Sequence, residues 1–253
     1  MSVDLSWLIA AALLSVRVAT ATAFTAVLGP TVLPGSVRIL LAAGLGILLA
    51  SATGTTPRLD DSPIAIALAC VQEVLIGAAL GVGFLCAYAA TQIAGRILDT
   101  QMGFGIASVF NPSAGTIAPL TGTLLGMAAV SVFLAMNGHH VLIRALALSV
   151  ETTPPGAPLR TFAWGAIVPQ GGLMFSYGLA LAAPVMLALL LADITLSVFA
   201  RSMPQLNVFV LGFALKIMFG LAGLAASIQL AESALNGLFT ETFHYWERMA
   251  AGR

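Results

Sequence analysis

Charge is what this sequence has least of. Acids and bases together make up 8% of the 253 residues, ten of each sign, and Lys216 is the single lysine. A soluble domain carries roughly 25% charged residues, so the composition argues against a soluble globular fold. No basic block occurs, and binding to nucleic acid therefore has no electrostatic footprint. Cysteine is nearly absent too: Cys70 and Cys86 stand alone. On one helix they would lie about 24 Å apart, beyond disulfide reach, and they read as small buried hydrophobes. Walker-type loops, GxSxG, HExxH, CxxC and paired carboxylates are all missing, which leaves an enzyme no visible chemistry. His139 and His140 are adjacent, so on a helix their rings diverge by about 100° and make poor joint ligands. No cofactor and no metal site are expected.

What is present is hydrocarbon. Apolar residues make up 59% of the chain, and mean hydropathy is +1.02. The pattern predicts an all-α, multi-span helical membrane protein. Helices are expected near Leu5 to Leu28, Ser36 to Ala52, Ile64 to Ile93, Leu120 to Met136, Gly171 to Ala200 and Val208 to Leu235. The apolar piece Val141 to Val150 is too short to span a bilayer. The first run has Asp4 before it and Arg17 inside it, with no basic leader, and reads as a retained membrane helix rather than a signal peptide. The third, at about 30 residues, would reach about 45 Å, more than the roughly 30 Å hydrocarbon core. Pro184 should kink the fifth. The turn Arg201 to Asn207 joins the last two into a hairpin, followed by a short amphipathic tail from Phe239 to Arg253. No linker divides the chain into separate domains.

Two features stand out against this background. The first is QMGFGIASVFNPSAGTIAP, Gln101 to Pro119, an uncharged stretch broken by Gly103, Gly105, Pro112 and Gly115. A continuous helix is disfavoured there. Non-helical backbone does not face lipid, because its polar groups would lack partners. At membrane depth this segment must be buried in protein or line a water-filled path. It follows a polar patch, Ala94 to Gln101, that holds Arg96 and Asp99. The second feature is a set of charges inside apolar runs: Arg17, Glu73, Asp193 and Lys216. Each is costly in lipid and should face protein or water. Two of each sign fit inter-helix or inter-subunit pairs, or a proton or ion relay; the partners are left open. Small residues on the third helix, with Gly77 and Gly81 four apart, permit close helix contact.

Three segments together carry a family resemblance: GRILDTQMGFGIASVFNPSAG (Gly95 to Gly115), FLAMNGHHVLI (Phe133 to Ile143) and RSMPQLNVFVLGFALKI (Arg201 to Ile217). Their order and spacing resemble the FliR/SctT family, the inner-membrane export-gate subunit of flagellar and type III secretion systems. Val210 to Phe213 looks more flagellar than injectisome-like. The resemblance implies long, kinked helical hairpins, with a FliP-like part at 1–165 fused to a FliQ-like hairpin and tail at 166–253. It implies FliP-like, FliQ-like and FlhB-type partner subunits, unfolded exported proteins as substrates, and membrane lipid around the assembly. Energy would come from proton-motive force and an ATPase elsewhere in the apparatus. The location implied is the bacterial inner membrane at the flagellar basal body, with periplasmic termini. The arginine count across the spans leans the other way.

The resemblance also implies site residues. Gln101, Met102, Gly103, Phe104, Gly105, Ile106, Val109, Phe110, Asn111 and Pro112 correspond to a plug that projects into the channel. Bulky apolar side chains there suit closure by packing and dewetting, and glycines suit displacement. The family usually has Asp where this chain has Asn111, which removes a charge and keeps the turn. Arg201, Pro204, Gln205 and Asn207 correspond to a turn at the cytoplasmic entrance. The rival readings are a small-solute secondary transporter, which would show inverted repeats, a membrane-embedded enzyme, and a purely structural assembly subunit.

Overall fold

The computed structural model describes residues 5–25, 34–54, 62–104, 119–157, 164–202 and 208–251, with side chains from 212 in the last stretch. The described secondary structure is helical: α1 (Leu5–Ala23), α2 (Gly35–Thr53), α3 (Pro63–Met102), α4 (Leu120–Ala135), α5 (Gly138–Thr152), a 3₁₀ turn (Trp164–Ala166), α6 (Ile167–Ser202), α7 (Val208–Ala226) and α8 (Ile228–Ala251). Among the described residues, four helices are long and apolar enough to cross a membrane. The number rises to six if each of two bent pairs, α4 with α5 and α7 with α8, forms one span.

Local chemistry sets the ends. The Ser62 hydroxyl accepts the Ala65 N–H at 3.1 Å, and Pro63 takes the first helical position, where its missing N–H costs nothing. α2 stops at Gly54, whose φ of 59° suits a left-handed C-terminal cap. Within the apolar helices, hydroxyls fold back on their own backbone: Ser15 donates to Ala11 O, Thr20 to Val16 O and Thr22 to Val18 O. Such bonds satisfy polar groups without a neighbour.

Three sequence expectations change. α3 does not end near Ile93; it continues through the polar patch to Met102. Its 40 residues extend about 60 Å. The polar patch stays helical because its Thr100 hydroxyl bonds to Arg96 O and its Asp99 side chain finds partners on α4. The single helix expected over Val208 to Leu235 divides at Ser227 into α7 and α8, with a bend of 61° between them. The C-terminal tail is the second half of α8, and its Tyr245, Trp246 and Met249 are fully buried.

The chain forms two compact units, with the boundaries falling inside α3, α4, α6 and α8. The first comprises Met1–Ala87, Phe133–Gly172 and Phe239–Arg253. Its small residues set the helix contacts. Gly77 faces Arg17 O and Thr20 of α1, Gly81 faces Ala21 O and Phe24, and Gly46 of α2 faces the Ser15 backbone; a Cβ would fit at none of them. The end of α8 is anchored by donors at its aromatic side chains: Tyr245 Oη to Ala79 O at 2.5 Å and Trp246 Nε1 to Leu80 O at 2.8 Å. Around them Phe84, Phe133, Phe239 and Phe243 form an aromatic cluster, with the Phe84 and Phe133 rings edge-to-face at 4.9 Å.

The second unit comprises Tyr88–Val132 and Leu173–Leu238. It contains the end of α3, most of α4 and the α6–α7 hairpin. Gly178 approaches Ala90 O, and Gly223 rests against Val185 and Ala188. The outer face of α6 carries Leu187, Leu191 and Val198, each more than 60% exposed, as expected for a surface bathed in lipid or covered by protein.

Candidate functional site

The second unit positions both ends of the glycine-broken segment. α3 stops in a paired cap. Phe104 N–H bonds to Asp99 O at 2.9 Å and Gly103 N–H to Thr100 O at 3.2 Å, the six-to-one and five-to-two pattern of a Schellman motif. Gly103 has φ 87°, which a side chain would strain. Gln101 is exposed, while Met102 is fully buried. The Met102 thioether seats over Gly220 of α7, where a Cβ would collide with its sulfur. Gly103 and Phe104 are half-buried. Gly105, Ile106, Val109, Phe110, Asn111 and Pro112 lie outside the described residues.

The far end of the segment is held beside the near end. Thr121, the second residue of α4, donates its hydroxyl toward Asp99 Oδ1 at 2.6 Å and Gly95 O at 2.8 Å. Its N–H reaches Asp99 Oδ1 at 3.2 Å. Gln92 Nε2 donates to Gly122 O at 3.1 Å. Gly95 and Gly122 touch backbone to backbone, so a Cβ at Gly95 would overlap Gly122. Backbone cannot give way as a side chain can. Gly95→Ala should therefore lower the melting temperature of the purified complex by the equivalent of about 1–3 kcal/mol. Gly44→Ala, with open space at its Cβ, should be neutral or gain up to about 1 kcal/mol. Equal effects at the two positions would contradict the close packing.

The four intra-span charges form two pairs. Lys216 Nζ lies 2.7 Å from Asp193 Oδ1, with both side chains about a third exposed (30% and 38%). This pair ties α7 to α6. Asp193 and Gln101 also line one cavity of about 330 Å³, walled by Leu179, Leu187 and Leu190. The structure thus brings a residue of the glycine-broken segment and a charge of the hairpin to one groove. Arg201 is exposed in the last turn of α6, where a cation complements the helix dipole. Pro204, Gln205 and Asn207 lie outside the described residues.

The other pair belongs to the first unit. Arg17 Nε and Nη2 grip Glu73 Oε2 and Oε1 at 2.5 and 3.0 Å, with 0% and 1% exposure. This bidentate fork is the strong form of the interaction. Arg17 Nη1 also donates to Ser149 Oγ at 3.1 Å, and Nη2 to Thr153 O at 2.9 Å. One guanidinium thus joins α1, α3 and the end of α5. Sequence reasoning did not single out Ser149, Thr153 or Thr121. A serine or threonine in a helix is an ordinary sight, and nothing in its spacing says that it meets a charge. Among the described residues no group of three or more His, Cys, Asp or Glu side chains is placed to hold a metal.

Helices of this length and apolarity, with buried charges paired inside protein, define an all-helical integral membrane protein. Residues 8–242 match the family model of bacterial export proteins, family 1. The chain belongs to that family. It is 35% identical over 206 residues to the flagellar biosynthetic protein FliR of Escherichia coli K12, covering 79% of this chain and 78% of the relative. It is 32% identical over 223 residues to FliR of Bacillus subtilis 168, covering 86% and 85%. The Yop proteins translocation protein T of Yersinia pestis is 27% identical over 175 residues, covering 68% and 67%.

Proposed function

We propose that this chain builds part of the wall of a protein-export conduit and that its segment 101–119 plugs the path. The coarser statement follows from the family: the chain is a membrane-embedded subunit of a flagellar or type III export apparatus. The observation that supports the plug is the treatment of the segment's two ends. α3 is terminated by a glycine cap at 103 and α4 restarts at Leu120, with both ends bonded to each other inside the second unit. A helix end of that kind, in a protein this apolar, belongs against protein or a water-filled path and away from lipid. Large apolar side chains at 104, 106, 109 and 110 would close a narrow lumen by dewetting.

The same reading takes 1–165 as a FliP-like part and 166–253 as a FliQ-like hairpin with its tail. It places the chain in the bacterial inner membrane at the flagellar basal body. FliP-like and FliQ-like subunits and an FlhB-type subunit would be its partners, and Arg201 to Asn207 would lie at the cytoplasmic entrance. The protein does no bond chemistry; its substrates are unfolded export proteins. Deleting Gly105 to Gly115 should raise ion leakage across the cell membrane severalfold while the complex still assembles. Unchanged leakage with normal assembly would remove the plug.

A further inference from the structure

The two ends of the glycine-broken segment meet at one residue to which the plug reading assigns no role. Asp99 ends one helix and begins another. Its backbone carbonyl accepts Phe104 N–H and closes α3. Its carboxylate accepts the N–H and hydroxyl of Thr121 and opens α4. The Thr121 N–H is among the first four of its helix, which have no partner within it. Such donors are normally met by a capping side chain just before the helix; here the acceptor comes from 22 residues earlier. A negative group at that end also complements the dipole of α4. The contact is shielded from solvent, with Asp99 at 7% exposure and Thr121 at 0%.

We propose that Asp99 is a positioning residue for the export path: it clasps the start of α4 to the end of α3 and so fixes the separation of the two points between which residues 105–118 run. Met102, seated over Gly220, and the Gly95–Gly122 contact hold the same junction from its sides. The inference rests on the plug reading, because a fixed separation matters for sealing only if the segment seals. It goes further in assigning the seal's geometry to a polar contact outside the segment.

A proton-carrying carboxylate and a positioning carboxylate respond differently to asparagine. Asn keeps an oxygen acceptor of the same reach and gives up the proton site. The test uses the assembled complex in cells, with ion leakage as the readout and co-purification as the control for assembly. Asp99→Ala is expected to raise leakage about ten-fold, the shift that a lost helix cap produces. Asp99→Asn and Thr121→Ser should stay within about two-fold of the native protein. In the D99C/T121C double variant an oxidant should form a disulfide and seal the complex, and a reductant should reopen it.

The outcomes separate the two levels of the account. If deletion of Gly105 to Gly115 leaks and Asp99→Ala does not, the clasp is overturned and the plug stands. If the deletion stays sealed, the plug falls and the inference with it. If Asp99→Asn leaks as much as Asp99→Ala, charge or proton transfer is the role and positioning is overturned. Should Asp99→Ala fail to assemble, oxidised and reduced D99C/T121C decide the question on one polypeptide: equal leakage in the two states overturns the clasp.

Discussion

Arg17→Ala should remove most of this subunit from the membrane complex. The guanidinium is fully buried and makes four bonds, two to Glu73, one to Ser149 and one to Thr153 O. Removing it strands the Glu73 carboxylate at 1% exposure. Breaking a buried pair on one side costs about 3–5 kcal/mol, a large share of the 5–15 kcal/mol that holds a typical domain. Glu73→Ala should cost about as much for the mirror reason. The double variant R17L/E73L carries no orphan charge and should recover much of the loss, since apolar replacement of a whole buried pair is often neutral. Subunit yield and melting temperature of the solubilised complex check this. Singles that are tolerated, or a double as poor as either single, would contradict it.

Trp246→Ala should release the end of α8 from the first unit. The indole is fully buried, donates to Leu80 O and meets Phe133 edge-on at 6.4 Å and Phe243 stacked at 5.8 Å. Truncating a buried Trp costs about 3–5 kcal/mol. Trp246→Phe keeps most of the ring and loses the hydrogen bond, at about 1 kcal/mol. Protease cleavage within residues 239–251 should therefore rise sharply in the alanine variant and little in the phenylalanine one. Equal protection in both would show that the helix end is not anchored there.

The helical class and the position of most helices were legible because a nearly uncharged, apolar chain has few other ways to satisfy its backbone. Gly77 and Gly81 announced a close contact, and α1 fills it. The boundary of α3 was not legible. Arg96, Asp99 and Gln101 look like a polar end, and only the distant Thr121 makes a carboxylate at 99 welcome inside a helix. The burial of the tail was not legible for a related reason. Its alternation of Glu, His and Arg with aromatics looks like a surface helix, whereas the aromatic face is a core element held by two α3 carbonyls. Pairing of the four span charges was unreadable from spacing, since 17 and 73 or 193 and 216 meet only through the fold. The three segments that carry the family resemblance all lie within the matched residues 8–242.

The most direct test of the conduit is photocrosslinking from within the segment. An export substrate fused to a tightly folded domain would be stalled in the assembled complex, with a photoreactive amino acid at Ile106 or, as a control, at Leu40, which is 72% exposed on α2. A substrate adduct from position 106 and none from position 40 is the predicted result. Adducts absent at 106 in a complex that still stalls the substrate would contradict the account.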